Sequence, residues 1–234
     1  MVNRRYVGSF VLGLAFFVAT PSFAQQASFL KPGDAPLVAL IAPPPAEKSD
    51  TTKQEIAAYH AMEAKRTDEE AKFAVADDDA SVFRFLQGMG IETDPEKLPL
   101  TLAFFKRVGA TQVAFINPSK QIWFRKRMSI VDTTINPLIE VPRSTAYPSG
   151  HATTATLFAI SLSQMFPEKR DAFFKRADQF GHSRFVVGVH YPSDNEAAKI
   201  AGAIIGNALL HNDEFKKELA PVKAELSPIL EANP

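Results

Sequence analysis

Residues 147–166 read YPSGHATTATLFAISLSQMF, and this stretch decides what kind of fold the sequence can form. Apolar and small residues fill almost every position from 151 to 166, which predicts a helix buried on most of its sides. Such a helix needs other helices around it, and runs of alternating apolar and polar residues are short and isolated in this sequence. We therefore expect an all-α, single-domain helical bundle.

The residues just before this helix favour the binding of an anion. Pro148 fixes the direction of the chain, and Ser149 and Gly150 leave backbone N–H groups unobstructed at the start of the helix. Unpaired N–H donors and the helix dipole both attract negative charge there, and His151 stands at the edge of this place. A plain helix cap with a neighbouring histidine explains the same residues equally well.

Farther along the chain, residues 183–194 (SRFVVGVHYPSD) combine an arginine, a histidine and a carboxylate. Asp194 lies close enough to His190 to accept its Nδ1–H, which leaves the lone pair on Nε2 free. Arg184 adds a planar guanidinium group whose geometry suits phosphate oxygens. The alternative is a structural histidine–aspartate pair that ties a loop to the next helix.

Ahead of the buried helix, residues 120–127 (KQIWFRKR) form a basic run. In a helix, Lys120 and Arg127 lie two turns apart on one face, where their like charges repel unless an anion lies between them. A basic face in contact with water is the simpler interpretation of such a run, and we apply it to Arg125 and Lys126.

The three patches follow one another in a defined order and spacing: Lys120-x6-Arg127, Pro148-Ser149-Gly150-His151 and Ser183-Arg184-x5-His190-x3-Asp194. The pattern resembles the three-part signature of the type 2 phosphatidic acid phosphatase (PAP2) superfamily, in particular its bacterial class A non-specific acid phosphatases. The same superfamily includes the vanadium haloperoxidases, and the resemblance implies a helical bundle of that type. One position departs from the family pattern, because Met128 stands where a proline usually follows the arginine.

The resemblance also implies a role for each matching residue. His190 is expected to be the nucleophile that forms a phosphohistidine, Asp194 to orient it, and His151 to protonate the leaving alcohol and then activate water. The groups implied to bind the phosphoryl oxygens are Lys120, Arg127, Ser149, Gly150 and Arg184. Because cations surround the phosphate, we expect no metal and no other cofactor, and we expect vanadate to inhibit. A neutral nucleophile and a protonated acid predict a bell-shaped pH profile with an acidic to neutral optimum.

The activity that the resemblance implies is that of an acid phosphatase on small phosphate monoesters, with phosphoryl transfer to alcohols as a side activity. Three alternatives stay open: a lipid-phosphate phosphatase at the membrane surface, a vanadate-dependent haloperoxidase, and an exported helical binding protein with a degenerate site. Haloperoxidase chains are typically much longer, and integral lipid phosphatases of this superfamily carry several membrane spans. The oligomeric state is open as well, a homo-oligomer included.

The composition argues against several classes of partner and site. The 234 residues contain 26 Lys and Arg against 26 Asp and Glu, so the formal net charge is zero. A nucleic-acid-binding protein usually needs a basic surface, so we expect no nucleic-acid partner. The chain has no cysteine, which excludes a disulfide framework, a thiolate zinc site and a cysteine nucleophile.

The N-terminus has the three-part pattern of a secretory signal peptide over residues 1–24. Two arginines precede an apolar run at residues 6–20. Ser22-Phe23-Ala24 then has small residues at its first and third places, and we expect cleavage after Ala24. The alternative is a membrane anchor, but the run is shorter than the roughly 20 apolar residues that a bilayer span needs. We expect a secreted protein, periplasmic in a bacterium, without stable membrane insertion once the signal is removed.

The rest of the chain divides into a proline-rich arm, residues 25–49, and an α-helical domain of the PAP2 type, residues 50–234. The five prolines of the arm and its lack of a helical period predict an extended segment, either wrapped on the surface or loosely ordered. Within the domain we expect Pro118 to end one helix and Pro228 to follow the end of the last. The acidic run at residues 77–79 is interpreted as the start of a helix rather than as a metal site.

Overall fold

The computed structural model describes residues 28–232, which contain helices and no β-strand. The all-α expectation is thereby confirmed, whereas the predicted signal peptide lies outside the described residues. The described residues form ten α-helices: α1 (Leu37–Leu40), α2 (Asp50–Glu63), α3 (Asp68–Ala76), α4 (Val82–Gln87), α5 (Pro99–Trp123), α6 (Met128–Val131), α7 (Gly150–Met165), α8 (Arg170–Val186), α9 (Pro192–His211) and α10 (Asp213–Leu230). None of these helices has the length and apolar character needed to cross a membrane.

Helix α7 is the centre of the bundle, as its apolar sequence predicts. It packs against α5, α8, α9 and α10, and Ala155, Leu157 and Leu162 are completely buried. Helix α9 approaches α7 closely at Gly202, where a Cβ atom would come within 2.6 Å of the Thr156 side chain. The N-terminal end of α7 is therefore held in a defined place among four other helices.

Helix α5 continues through Pro118, so the expected break at this proline is wrong. A proline inside a helix costs roughly 3 kcal/mol. Phe115, Ile116 and Lys120 on either side of it are all buried, and their packing outweighs the lost hydrogen bond. The helix ends instead where Phe124 takes a left-handed conformation with a φ of 45°.

Helix α10 likewise runs through Pro228, which corrects the expectation that the helix ends before this residue. Leu226 and Leu230 lie on either side of the proline and are completely buried. The helix packs on α5, α7 and α9. Burial of an apolar face therefore overrides local helix propensity here as well.

The acidic run at residues 77–79 is not the start of a helix, because it lies between the end of α3 and the start of α4. Asp77 is completely buried and accepts hydrogen bonds from Arg176 and from the Ser183 hydroxyl. A carboxylate in this place ties the N-terminal helices to α8. The next residue, Asp78, is then directed towards the start of α7.

Residues 28–49 lie against the bundle and include the short helix α1. Phe29 and Leu30 are buried, and the Phe29 ring meets the edge of Phe215 with ring centroids 5.4 Å apart. The Ala42 carbonyl accepts a hydrogen bond of 2.5 Å from the Tyr147 hydroxyl. This segment therefore reaches the residues directly ahead of α7.

Candidate active site

The three sequence patches, which are far apart along the chain, meet at one end of α7. His190 is 3% exposed, and its Nε2 atom lies 2.7 Å from Nη1 of Arg127. Ser149, just before α7, donates its backbone N–H to the Asp194 carbonyl at 3.1 Å. The Arg184 carbonyl accepts the backbone N–H of His190 at 3.2 Å. Residues from all three patches therefore surround one buried imidazole.

Asp194 orients the His190 ring. Its Oδ2 atom lies 3.0 Å from Nδ1 of His190 and also accepts the Tyr191 backbone N–H at 3.0 Å. Because an ionised carboxylate only accepts hydrogen bonds, this contact assigns the ring proton to Nδ1 and leaves a lone pair on Nε2. Burial lowers the pKa of His190 well below its ordinary value, and the charge of Arg127 adds to this effect. The ring is therefore neutral at pH 7.

Lys120 lies in the last turn of α5 and is almost completely buried. Its Nζ atom donates hydrogen bonds to the carbonyl oxygens of Thr145 at 2.6 Å and Ala146 at 3.2 Å. Burial and, after it, the charge of Arg127 lower the pKa of Lys120 to about 7. An anion bound between these two residues raises that pKa again, so anion binding restores the full charge of the lysine.

Arg127 lies beyond the left-handed turn at Phe124, which corrects the expectation that it shares a helix face with Lys120. Its Nε atom donates to the Ser144 carbonyl and its Nη1 atom to the Val189 carbonyl, each at 3.0 Å. Burial lowers the pKa of Arg127 to about 10, so the guanidinium group stays charged at neutral pH. The loop and the end of α5 thus bring the two cations together.

Met128 occupies the position where the family pattern has proline, and it is completely buried. It begins α6 and packs in a cluster that includes Tyr59 and Tyr191. Apolar packing, rather than the ring of a proline, therefore fixes the chain directly after Arg127.

Arg184 is the most informative side chain of the site. It is 0% exposed, and its Nη2 atom lies 3.0 Å from Oδ1 of Asp78. Its Nε and Nη1 atoms have no hydrogen-bond partner among residues 28–232. An unpaired buried donor costs about 1–3 kcal/mol, and more when it is charged. Donors left open at this cost indicate a ligand that carries acceptor oxygens.

His151 stands in the first turn of α7, on the side of Asp78. Its Nε2 atom lies 3.0 Å from the Asp78 backbone carbonyl, and its ring stacks on Phe180 with ring centroids 6.4 Å apart. A carbonyl only accepts, so Nε2 carries a proton. Burial and, after it, the charge of Arg184 lower the pKa of His151 to about 4. The ring therefore gains its second proton only in acid or beside a negatively charged ligand.

Ser149 and Gly150 form the start of α7, at the same end of the helix. Ser149 is completely buried, and its Oγ atom accepts the Ala152 N–H at 3.4 Å. A Cβ atom at Gly150 would lie 3.4 Å from the Gln112 side chain, which is an ordinary van der Waals contact. The first N–H groups of a helix have no acceptor within it, so this end adds backbone donors to the cluster of cations.

Arg125 was expected to face water, and that expectation is wrong. It is 7% exposed and lies 2.7 Å from Asp194 and 2.9 Å from Glu55. The next residue, Lys126, does face water, with 58% of its side chain exposed and an ion pair of 3.0 Å to Glu47. The two neighbouring basic residues therefore lie in opposite environments.

The carboxylates of Asp78 and Glu55 also belong to the site, and sequence reasoning missed both. The signal that could have revealed them is charge balance, because cations buried together need carboxylates nearby. Many acidic residues precede Lys120 in the sequence. Only the packing of α2 and of the end of α3 brings Glu55 and Asp78, and not the others, to the buried cations. Among residues 28–232 no group of three or more His, Asp or Glu side chains could hold a metal ion.

Comparison with known sequences identifies the family. A sequence model described as the PAP2 superfamily matches residues 101–217, half of the 234-residue chain. The chain belongs to the PAP2 superfamily. The matched range contains all three patches of the signature, whereas α2 and α3 lie before it.

Two relatives of this PAP2 protein are acid phosphatases. The non-specific acid phosphatase of Salmonella typhimurium is 29% identical over 194 residues, which cover 79% of this chain and 78% of the relative. An acid phosphatase of Zymomonas mobilis is 30% identical over 198 residues, which cover 80% of this chain and 74% of the relative. Their names support the expectation that this PAP2 protein is a phosphatase.

The fold has a counterpart among solved structures. A bacterial vanadium-dependent iodoperoxidase superposes with a TM-score of 0.56 at 18% identity, over 74% of this chain and 52% of that protein. The likeness shows that the two proteins share a helical bundle, in agreement with the expected fold class.

Proposed function

We propose that this PAP2 protein is a secreted acid phosphatase that hydrolyses phosphate monoesters without a metal, through a phosphohistidine formed on Nε2 of His190. One observation above all supports the proposal. Arg184 is completely buried, and two of its nitrogen atoms have no partner within the described residues. A tetrahedral oxyanion beside His190 is the ligand class whose oxygen atoms match such donors.

A phosphate group in front of Nε2 finds donors on several sides. Arg184 offers Nε and Nη1, and Arg127 can turn its Nη1 atom from His190 to a phosphoryl oxygen. Lys120 regains its full charge, and the start of α7 adds the backbone N–H of Gly150. Phosphoryl transfer depends mainly on in-line positioning and on cations around the equatorial oxygens, and this set supplies both.

In the first step, the Nε2 lone pair of His190 attacks phosphorus and the bond between phosphorus and the ester oxygen breaks. The leaving oxygen takes a proton from His151, and Asp194 stabilises the positive charge that develops on the phosphorylated ring. In the second step, His151 takes a proton from water while the water oxygen attacks phosphorus. The N–P bond breaks, inorganic phosphate leaves, and His190 returns to its neutral state.

The pKa values favour an acidic optimum. His151 must be protonated to act as the acid, and its pKa near 4 keeps it mostly neutral above that pH. A bound dianionic ester raises this pKa, since an opposite charge favours the protonated ring. His190 stays neutral because burial lowers its pKa well below the ordinary value. Activity should therefore fall as the pH rises through the pKa of His151.

Export follows from the signal-peptide pattern at residues 1–24. We place the enzyme in the periplasm of a bacterium, where it would act on small phosphate monoesters. Fractionation of cells that express the full chain checks this part of the proposal. The activity should appear in the periplasmic fraction, and the protein found there should have been cleaved after Ala24.

The decisive experiment measures hydrolysis of p-nitrophenyl phosphate by the purified chain in the presence of EDTA. We expect activity to survive EDTA, to be inhibited by vanadate, and to fall about 10⁴-fold in His190→Ala. His182→Ala is a matched control, because His182 is exposed on α8 and should leave the rate unchanged. Quenching with alkaline detergent during turnover should trap a phosphoenzyme that His190→Ala lacks, because the N–P bond of a phosphohistidine is stable in base and is hydrolysed in acid. Full activity of His190→Ala would falsify the assignment.

A lipid-phosphate phosphatase is the second candidate, and one surface observation favours it. Ile122, Phe124 and Ile130 are 58%, 63% and 59% exposed, and they flank the loop that carries Arg127. An apolar surface of this kind suits contact with lipid. Turnover of phosphatidic acid in micelles that exceeds turnover of soluble monoesters would establish this alternative. The haloperoxidase alternative has only the likeness of fold in its favour.

A further inference from the structure

We propose that Arg125 is a positioning residue for the reaction. It holds Asp194 in the orientation in which this carboxylate fixes the ring of His190, and Glu55 on α2 holds Arg125 in turn. The inference rests on the proposed function, and it adds two residues that the three-part signature does not specify.

Arg125 lies at the centre of a buried network. Its Nη1 atom donates to Oδ1 of Asp194 and to Oγ of Ser193, each at 2.7 Å. Its Nη2 atom donates to Oε2 of Glu55 at 2.9 Å. The guanidinium group lies over the Tyr191 ring, with Cζ 3.8 Å from the ring centroid. Two carboxylates and an aromatic face thus lock one planar group, which the single ammonium of a lysine cannot replace.

The two oxygen atoms of Asp194 have different partners. Oδ2 contacts Nδ1 of His190 and the Tyr191 backbone N–H, whereas Oδ1 accepts from Arg125. Without Arg125 the carboxylate can rotate about χ2, which is a broad torsion in aspartate. Asp194 is also 0% exposed, and a carboxylate buried to this extent needs a cation at hydrogen-bond distance to remain ionised.

Glu55 connects this network to the N-terminal helices. Its Oε2 atom accepts from Arg125, and its Oε1 atom accepts the Ser193 backbone N–H at 2.6 Å. The two oxygens therefore fix both the arginine and the first turn of α9, which carries Asp194. Glu55 precedes residues 101–217, so this support comes from a part of the chain that the family match does not cover.

The first test compares Arg125→Ala with the wild-type chain on p-nitrophenyl phosphate. We expect kcat to fall about 100-fold and KM to change less than about threefold, because the phosphate-binding groups stay in place. Lys126→Ala is the matched control, since this neighbouring lysine is exposed, and it should keep kcat within about twofold. Arg125→Lys should stay as slow as Arg125→Ala, because it keeps the charge but loses the planar fork.

Chemical rescue separates positioning from a general loss of structure. A cavity of about 330 Å³ lies beside Arg125 and is also lined by Thr52 and Tyr191. A small cation can therefore reach the space that Arg125→Ala leaves. We expect guanidinium at millimolar concentration to raise kcat of this variant about tenfold, and methylammonium to have little effect because it lacks the planar fork. A folded but slow Arg125→Ala that neither cation rescues would speak against positioning.

Glu55→Gln tests the other end of the network and serves if Arg125→Ala does not fold. We expect a fall in kcat of about tenfold with little change in KM. Wild-type kcat in both Arg125→Lys and Glu55→Gln would overturn the inference and leave the proposed function intact. Full activity of His190→Ala removes the proposed function itself, so the two failures are distinguishable.

Discussion

Helix α8 carries two buried arginines about two turns apart, and their surroundings are opposite. Arg176 is 2% exposed, and all three of its nitrogen atoms donate: Nε to the Phe85 carbonyl, and both Nη atoms to the Asp77 carboxylate. Arg184 is equally buried, yet its Nε and Nη1 atoms have no partner within the described part of the chain. The two side chains are chemically identical, so the difference lies in what the tertiary structure places around them.

The contrast separates a group that supports the fold from a group prepared for a ligand. Arg176 also lies among the rings of Phe73 and Phe180, with Cζ 5.1 and 4.9 Å from their centroids. A buried cation that is fully paired contributes to stability only through partners that are already present. A buried cation with unpaired donors can still form strong hydrogen bonds to an anion that binds. Arg184 should therefore matter for activity and Arg176 for folding.

Among the variants that test this comparison, Arg184→Ala should have the largest effect, and that effect should be on activity. It removes the donors proposed to bind the phosphoryl oxygens, so we expect kcat/KM for p-nitrophenyl phosphate to fall about 10³- to 10⁴-fold. The free energy of unfolding should change little, since two unpaired buried donors disappear with the side chain. Arg184→Lys is the control and should recover only part of the rate. A wild-type kcat/KM in Arg184→Ala would remove the distinction between the two arginines.

Arg176→Ala should have the reverse effect. It removes one of the two arginines that pair with the buried carboxylate of Asp77, the other being Arg84. The free energy of unfolding should therefore fall by about 3 kcal/mol, the lower end of the range for breaking a buried ion pair. Urea unfolding followed by circular dichroism measures this change. The rate per folded molecule should stay within about threefold of wild type, since Arg176 does not reach the site. Arg170→Ala, on the same helix with 61% of the side chain exposed, is the control. An unchanged unfolding midpoint in Arg176→Ala would contradict the structural role.

The role of Arg184 can be predicted from the sequence far better than the role of Arg176. Arg184 belongs to a short patch whose order and spacing point to a site, and the structure brings that patch to His190. Nothing in the sequence around Arg176 marks it as the partner of Asp77, because the two residues are far apart in the chain and meet only through packing. The all-α fold could be predicted because it needs only the apolar pattern of α7 and the scarcity of alternating runs.

The wrong predictions from sequence at Pro118 and Arg125 have one physical cause. Local propensity predicts a helix break at the proline and a solvated surface at the basic run, and both rules describe a chain in water. Burial of Phe115 and Ile116 overrides the first rule. The carboxylate of Glu55, which α2 brings in from outside the patch, overrides the second.

Asp78→Asn tests what the carboxylate that pairs with Arg184 contributes to the site. The charge of Asp78 raises the pKa of His151, whereas the charge of Arg184 lowers it. The substitution removes the first effect and leaves the second uncompensated, so the pKa of His151 should fall. The basic limb of the pH profile of kcat/KM should then move to lower pH, by about half a unit.

The matched control for this variant is Asp79→Asn, one residue farther along the chain, where the carboxylate contacts Ser81. It should leave the pH profile in place. A basic limb that moves to higher pH in Asp78→Asn would mean that Asp78 does not act on His151 as an anion.

His60→Gln should have the smallest effect. It tests an exposed ion pair, which can be compared with the buried ion pair of Arg176. The Nε2 atom of His60 lies 2.9 Å from Oδ2 of Asp132, and 38% of the histidine side chain is exposed. The hydrogen bond to Asp132 raises the pKa of His60, and the same bond lowers the pKa of Asp132 to about 2. The raised pKa of His60 means that its contribution to stability is complete below the ordinary pKa near 6.5 and is lost as the pH rises through the folded-state value.

His60→Gln should therefore lower the melting temperature by about 1 °C at pH 5.5 and leave it unchanged at pH 9, because solvent screens an exposed pair. His211→Gln, which alters another exposed histidine, should show no difference between the two pH values. An equal decrease at both pH values in His60→Gln would assign its effect to packing rather than to charge. A decrease as large as that of Arg176→Ala would mean that burial does not set the strength of these pairs, and the contrast between the arginines would lose its physical basis.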